Sequence, residues 1–334
     1  MRRMLFRVLG TAILGLSLAG RGHAETLKVG YPTAAPASPI FIAKEKGYYA
    51  AQGLDVELVP FDAAGPIAVA VTSGSLDFAL AGGTASFFSL ASQGAIKIIA
   101  GAVHEVPGFH AAVVVASNKG YESGVKSFKD MAGRTVATTQ IGSSFYYALG
   151  QISDKYAIDL KSLRIIQTQA NANTVSTIAG GAADIGVGTY TGFSALLDRG
   201  GAKLLGFVGD ETPWQFAVII TSTKMARDNS DTVERWLKAF RGATKDYHDA
   251  FTNAQEKRED QATAPEILGI MSKNMGQTPD QIRPSIGYVD AQARLDVADI
   301  RRQVAWLGAH GLLKGNTDAD AMIASRYIIP WPGQ

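Results

Sequence analysis

The chain has no cysteine among its 334 residues. That excludes a disulfide framework, a thiolate nucleophile and any cysteine-ligated metal or cluster. Histidine is nearly as scarce, with five in all. His104, His110, His248 and His310 have no zinc-like spacing, so no metal site and no cofactor is expected. There is no G-x-S-x-G turn for a serine nucleophile and no G-x-x-x-x-G-K-[ST] phosphate loop. Gly186-x-Gly188-x-x-x-Gly192 is one residue too long for a dinucleotide fingerprint. The chain is read as a non-enzyme. Charge of one sign is also lacking: the formal net is +2. Four of the 32 basic residues (Arg2, Arg3, Arg7, Arg21) fall in the first 24 positions, leaving 28 against 30 acidic residues. A nearly neutral body gives no footprint for nucleic acid.

What is present at the N-terminus reads as an export leader over residues 1–24. A basic start precedes an apolar stretch from Val8 to Ala19, and Gly22-His23-Ala24 ends in a small residue before Glu25. The apolar run is too short to span a bilayer as a mature helix. The expectation is a soluble protein outside the cytoplasm.

The rest repeats itself. Residues 27–101 align without a gap on 134–208 at an offset of 107, placing Gly74, Asp77, Thr84, Gly94 and Ala95 on Gly181, Asp184, Thr191, Gly201 and Ala202. Each copy reads as strands alternating with helices, which implies parallel pairing and right-handed crossovers. Ser38 ahead of Pro39, Thr84 and Thr191 are read as helix N-caps. The apolar stretches Ala111–Ser117 and Phe216–Ser222 border the second copy and read as crossover strands. The predicted organisation is therefore two lobes, 25–112 plus 216–334 and 113–215. The helical tail packs on the first through Trp236, Leu237 and Phe240. Asp77 and Asp184, ahead of the third strand of each copy, are read as structural.

In open parallel sheets a ligand sits beyond the carboxyl ends of the strands. That rule selects Tyr31–Ser38, 61–65 and 82–84 in one lobe, and 138–144, 168–173 and 188–191 in the other. Most lead into helix N-termini, where free N–H groups and the helix dipole favour anions. Candidate ligand-binding residues are Tyr31, Ser38, Gly83, Thr84, His110, Thr139, Gln140, Ser143, Ser144, Tyr190 and Trp214. Ser143 and Ser144 have two readings open, ligand donor or plain cap. No arginine occurs in these loops, so an anion would rely on neutral donors.

Leu27-Lys28-Val29-Gly30-Tyr31, Pro39 to Tyr49, Gly53-Leu54-Asp55-Val56-Glu57 and Ser73 to Ala79 resemble the periplasmic taurine/alkanesulfonate/nitrate-binding family over about residues 25–250. The resemblance implies an α/β, two-lobed type II periplasmic-binding-protein fold. Each lobe would be a mostly parallel sheet flanked by helices, and two crossover strands would join them. It implies a periplasmic receptor that delivers a solute to an ABC permease, without choosing the solute. The helix N-termini and hydroxyl donors of the loops point to a small organic anion, a sulfonate or carboxylate, aromatic or not, trapped by hinge closure, and a monomer is the default expectation. A related branch makes or binds the pyrimidine precursor of thiamine. Its enzymes carry a cysteine-rich motif that this chain lacks. A ligand-presenting sensory module is a further alternative.

Overall fold

The computed structural model describes residues 26–315 and 317–332. The leader expected at residues 1–24 lies outside the described residues. Two five-stranded sheets dominate. The first runs in the order Asp55–Phe61, Thr26–Pro32, Phe78–Gly82, Ala217–Ser222, Ile96–Gly101. The second runs Arg164–Gln167, Thr135–Thr138, Ile185–Thr189, Ala112–Ser117, Ala202–Phe207. The topology is the same, and so is the register. Lys28 opposes Glu57 and Val29 opposes Phe78, as Thr135 opposes Arg164 and Val136 opposes Ile185. All four pairs are related by the offset of 107 residues.

The offset extends to hydrogen bonds. The Asp77 carboxylate accepts from the Lys28 N–H at 2.8 Å, and the Asp184 carboxylate accepts from the Thr135 N–H at 2.9 Å. Each aspartate thus ties the start of its third strand to the neighbouring first strand. Replacing either by alanine leaves one strand N–H without its partner. We expect each change to lower stability by about 1–2 kcal/mol and by similar amounts, measured by urea unfolding. A loss at one position only would mean that the matched bonds are unequal in weight.

Side-chain alternation packs helices on both faces of the first sheet. Leu27, Val29 and Phe78 face the helices Ser38–Glu45 and Ser230–Phe251, where Trp236 stacks on Phe78 at 4.6 Å. Ala79, Val218 and Ile220 face Gly65–Thr72, Ala85–Ser92 and Val297–Ala309. In the second sheet Val113 and Val115 face Asn171–Ala179 and Tyr190–Asp198, and Val114 and Ala116 face Ser144–Lys155.

Three local readings change. Ala112–Ser117 and Ala217–Ser222 are not bare crossovers. Each is inserted into a sheet, antiparallel to both neighbours, so both sheets are mixed. The chain segments that pass between the sheets pair further on. Val103–Glu105 sits between Trp214–Gln215 and Tyr288–Val289 in a small antiparallel sheet. Ser38 is not a cap; the helix opens at Ser38 after a 3-10 turn at Ala35–Ala37, and its hydroxyl donates back to the Ala35 carbonyl at 2.6 Å. Thr191 is not a cap either. Thr189 caps that helix, because the second copy enters it directly from the strand, whereas Gly83-Thr84 intervene in the first. Among the described residues no helix is long and apolar enough to cross a membrane.

Candidate functional site

The carboxyl ends of the two sheets face each other across a cavity with an empty volume of about 580 Å3, counted to its mouth. All six loops selected by the strand-end rule contribute to its wall. Three helices that open there carry side-chain caps. Thr84 accepts from the Phe87 N–H, Ser143 from the Tyr146 N–H and Thr189 from the Gly192 N–H. The other three, opening after Ala37, Ala64 and Ala170, have no side-chain cap. At these starts backbone carbonyls take part of the load: the Ser38 N–H donates to the Ala35 carbonyl, the Ile67 N–H to the Ala64 carbonyl and the Asn171 N–H to the Asp62 carbonyl at 3.5 Å, while Pro39 and Pro66 have no N–H to satisfy.

The wall is chemically divided. The side built on the first sheet is apolar: Pro32, Ala34, Pro36, Ala63, Ala64 and Leu80, with Thr84 already engaged as a cap. The opposite side is polar: Thr139, Gln140, Ser143, Ser144, Asn171 and Thr189. Ser143 and Thr189 are caps. The side chains of Thr139, Gln140, Ser144 and Asn171 have no hydrogen-bond partner among the described residues, which leaves two hydroxyls and two amides directed at the space between the sheets. Phe145 and Phe216, 5.7 Å apart, close one end. None of the lining residues is charged. Among the described residues no group of three or more metal-ligating side chains comes together.

The two sides touch at the rim. The Ala85 N–H donates to the Gly142 carbonyl at 2.8 Å. A β-carbon placed on Gly82 would lie 2.8 Å from Ser144 Oγ, and one on Gly65 would lie 3.0 Å from Gln140 Nε2.

Of the eleven candidate residues, Thr84, Thr139, Gln140, Ser143 and Ser144 line the cavity. Ser143 is a cap and Ser144 is not. The other six lie elsewhere. Tyr31 shares the strand face of Leu27 and Val29, and its ring meets Phe41 edge-on at 5.0 Å; burial raises its pKa. Ser38 is fully buried. Gly83 accommodates Gln303, whose Oε1 would be 2.0 Å from a β-carbon there. His110 stacks on Phe207 at 3.6 Å and pairs with Asp210, and burial lowers its pKa. Tyr190 also stacks on Phe207, at 6.0 Å, and burial raises its pKa. Trp214 is 1% exposed, packed between Tyr147 and Phe216 on the inter-sheet strand. The candidate set missed Asn171, Phe145 and Phe216. Asn171 was within a selected loop and carried a readable signal, an amide opening a helix. The phenylalanines carried none that separates a cavity wall from core.

Residues 35–254 match the family described as NMT1/THI5 like. No curated protein matches the chain in sequence. Among solved structures the chain is similar to the alkanesulfonate-binding protein SsuA from Xanthomonas axonopodis pv. citri bound to MOPS. Identity is 18%, coverage 90% of this chain and 99% of that one, and the TM-score 0.73. The periplasmic nitrate-binding protein NrtA from Synechocystis PCC 6803 is similar at 16% identity, covering 91% and 87%, with a TM-score of 0.70. The desulfurization enzyme DszB is similar at 15% identity, covering 90% and 96%, with a TM-score of 0.64. The shared architecture is the periplasmic-binding-protein fold. The fold alone hosts both binding and catalysis.

Proposed function

The chain belongs to the NMT1/THI5-like family, and from that premise we propose that it is the periplasmic solute-binding component of an ABC-type importer. Its ligand is a small organic anion, a sulfonate or carboxylate. The observation that carries this reading is the divided wall: uncommitted neutral donors on one side, an apolar surface on the other. An amphipathic solute fits such a wall in one orientation. Its charged end takes hydrogen bonds from Thr139, Gln140, Ser144 and Asn171 and from the uncapped helix start at Asn171. Its carbon skeleton lies against Pro32, Ala34, Ala63 and Leu80. The lobe that supplies donors takes the solute first, and rotation about Val103–Glu105 and Trp214–Gln215 brings the apolar lobe over it. The closed pair is then the surface that a membrane permease reads.

One feature favours a second ligand class. A cavity without any charged lining residue also suits a neutral flat heterocycle such as an aminopyrimidine, resting against the ring pair Phe145 and Phe216.

Thermal unfolding with MOPS, taurine, simple carboxylates and an aminopyrimidine separates the two. A true ligand at a hundred times its Kd stabilises by about 2.7 kcal/mol. We expect a sulfonate or carboxylate to raise Tm without being altered. A rise with the aminopyrimidine alone assigns the second class, and no rise with any probe overturns the reading. With the ligand found, Thr139→Val and Ser144→Ala should each weaken binding about tenfold by removing one donor.

A further inference from the structure

The helix Val297–Ala309 belongs to the first sheet's packing, rooted there by Ile300, Val304 and Leu307. Trp306 leaves that face and crosses to the other side of the cleft. Its indole fills a notch in the helix Ser144–Lys155 made by Gly150, where an added β-carbon would lie 2.0 Å from Cζ2 and 2.7 Å from Cη2. Tyr147 meets it edge-on at 5.4 Å and Tyr146 at 6.0 Å, and Nε1 donates to the Asp154 carboxylate at 3.3 Å. His310, one turn on, stacks under the ring at 3.8 Å and fixes its orientation. Every partner across the cleft lies on the one helix whose first turn supplies Ser144 and Phe145 to the cavity.

We propose that Trp306 is a closure clasp, an affinity-setting residue outside the cavity that seats in the Gly150 notch and holds the lobes together. The proposal rests on the receptor reading in one respect, that the lobes separate. The notch needs a residue without a side chain, and the opposing helix position needs the one side chain long and flat enough to fill it. Opening the cleft withdraws the ring from the notch and exposes both surfaces, so the contact weighs only on the closed state. It adds to affinity without touching the solute.

The absence of cysteine makes the test clean. Gly82→Cys with Ser144→Cys places one thiol on each side of the cleft, at positions whose β-carbons approach to about 3.2 Å; a parting of a few tenths of an ångström reaches disulfide spacing, a far smaller shift than a branched side chain at position 82 would force, and every rate is compared within this one background. Oxidised glutathione then forms the cross-cleft disulfide only when the lobes meet, releasing two reduced glutathiones. The oxidation rate measures the closed fraction and needs no ligand, so its outcome is independent of which solute binds. In this background Trp306→Ala should slow disulfide formation about tenfold, and Gly150→Ala roughly fivefold. Gly150→Ala is the decisive variant: alanine is the better helix former, so lobes that can part keep an undiminished Tm and close more slowly, whereas a permanent structural contact predicts that the 2.0 Å clash with Trp306 lowers Tm. A fall in rate at undiminished Tm supports the clasp. Wild-type rates in both variants, or in Gly150→Ala alone where Trp306→Ala does not fold, overturn it.

Discussion

Valine at position 82 is expected to lower solute affinity by at least about a hundredfold while leaving the protein folded. Gly82 ends the third strand of the first sheet, and its missing side chain would point across the cleft. A β-carbon there lies 2.8 Å from Ser144 Oγ and 3.2 Å from Ser144 Cβ. Valine adds two methyl groups beyond that point. Within its own sheet the residue meets no such obstacle; the nearest other atom is the Phe216 carbonyl oxygen at 3.5 Å. β-branched residues suit strands, so the sheet itself is not weakened. The cheapest relief is to keep the two sides apart. Titration calorimetry with the ligand identified by thermal shift, run beside a Tm measurement, checks this. Wild-type affinity in a folded Gly82→Val protein would mean that the rim contact is not made in the bound state.

The second large effect is a pH dependence. Glu105 lies on the inter-sheet strand, 0% exposed, with one oxygen accepting from the Ala112 N–H at 2.8 Å. Its other oxygen is pressed against Gly209 of the second connecting segment, where a β-carbon would lie 2.7 Å away. Burial pushes its pKa up to about 8, helped by nearby Asp210 and opposed by the N–H groups of Ala112, Ala111 and Gly209. The folded state therefore binds this proton more tightly than the unfolded chain, whose glutamate titrates near its ordinary value. The resulting stabilisation is complete in acid, below about pH 4, and disappears as pH rises through 8. Glu105→Gln removes the titration and keeps the shape. Between pH 5 and pH 9 the wild type should lose on the order of 3 kcal/mol relative to the variant, read from denaturant unfolding at each pH. Parallel pH curves would refute it. The companion groups on the same side are His110, paired with Asp210, and Tyr247, buried beneath with Arg258.

The repeat made most of the architecture legible. An offset found from a few glycines and aspartates carries the strand order, the register and the two matched carboxylate bonds. The strand-end rule then located the cavity, because it depends only on where strands finish. The failures came where direction mattered. Tyr31 and Pro32 are adjacent, yet alternation buries one against Phe41 and gives the other to the cavity. Trp214 sits at the junction as expected, but it pairs with Glu105 in a third sheet whose members are two or three residues long. Segments that short carry no periodicity to read. Gly83 and Gly150 were opaque for a different reason. The side chains that require them, Gln303 and Trp306, are far along the sequence, in a tail whose resemblance to anything was weakest.

The inserted antiparallel strand has a bearing on how the molecule is made. Every strand of the second sheet comes from one unbroken stretch, residues 112–207, so that sheet is complete once this stretch is available. The first sheet is not. Its fourth position, between Phe78–Gly82 and Ile96–Gly101, is filled by residues 217–222. Until those residues emerge, the two strand edges that they will pair with flank an open slot. Chain elongation thus imposes an order: the middle of the sequence settles as a unit, and the beginning waits for a keystone delivered more than a hundred residues later.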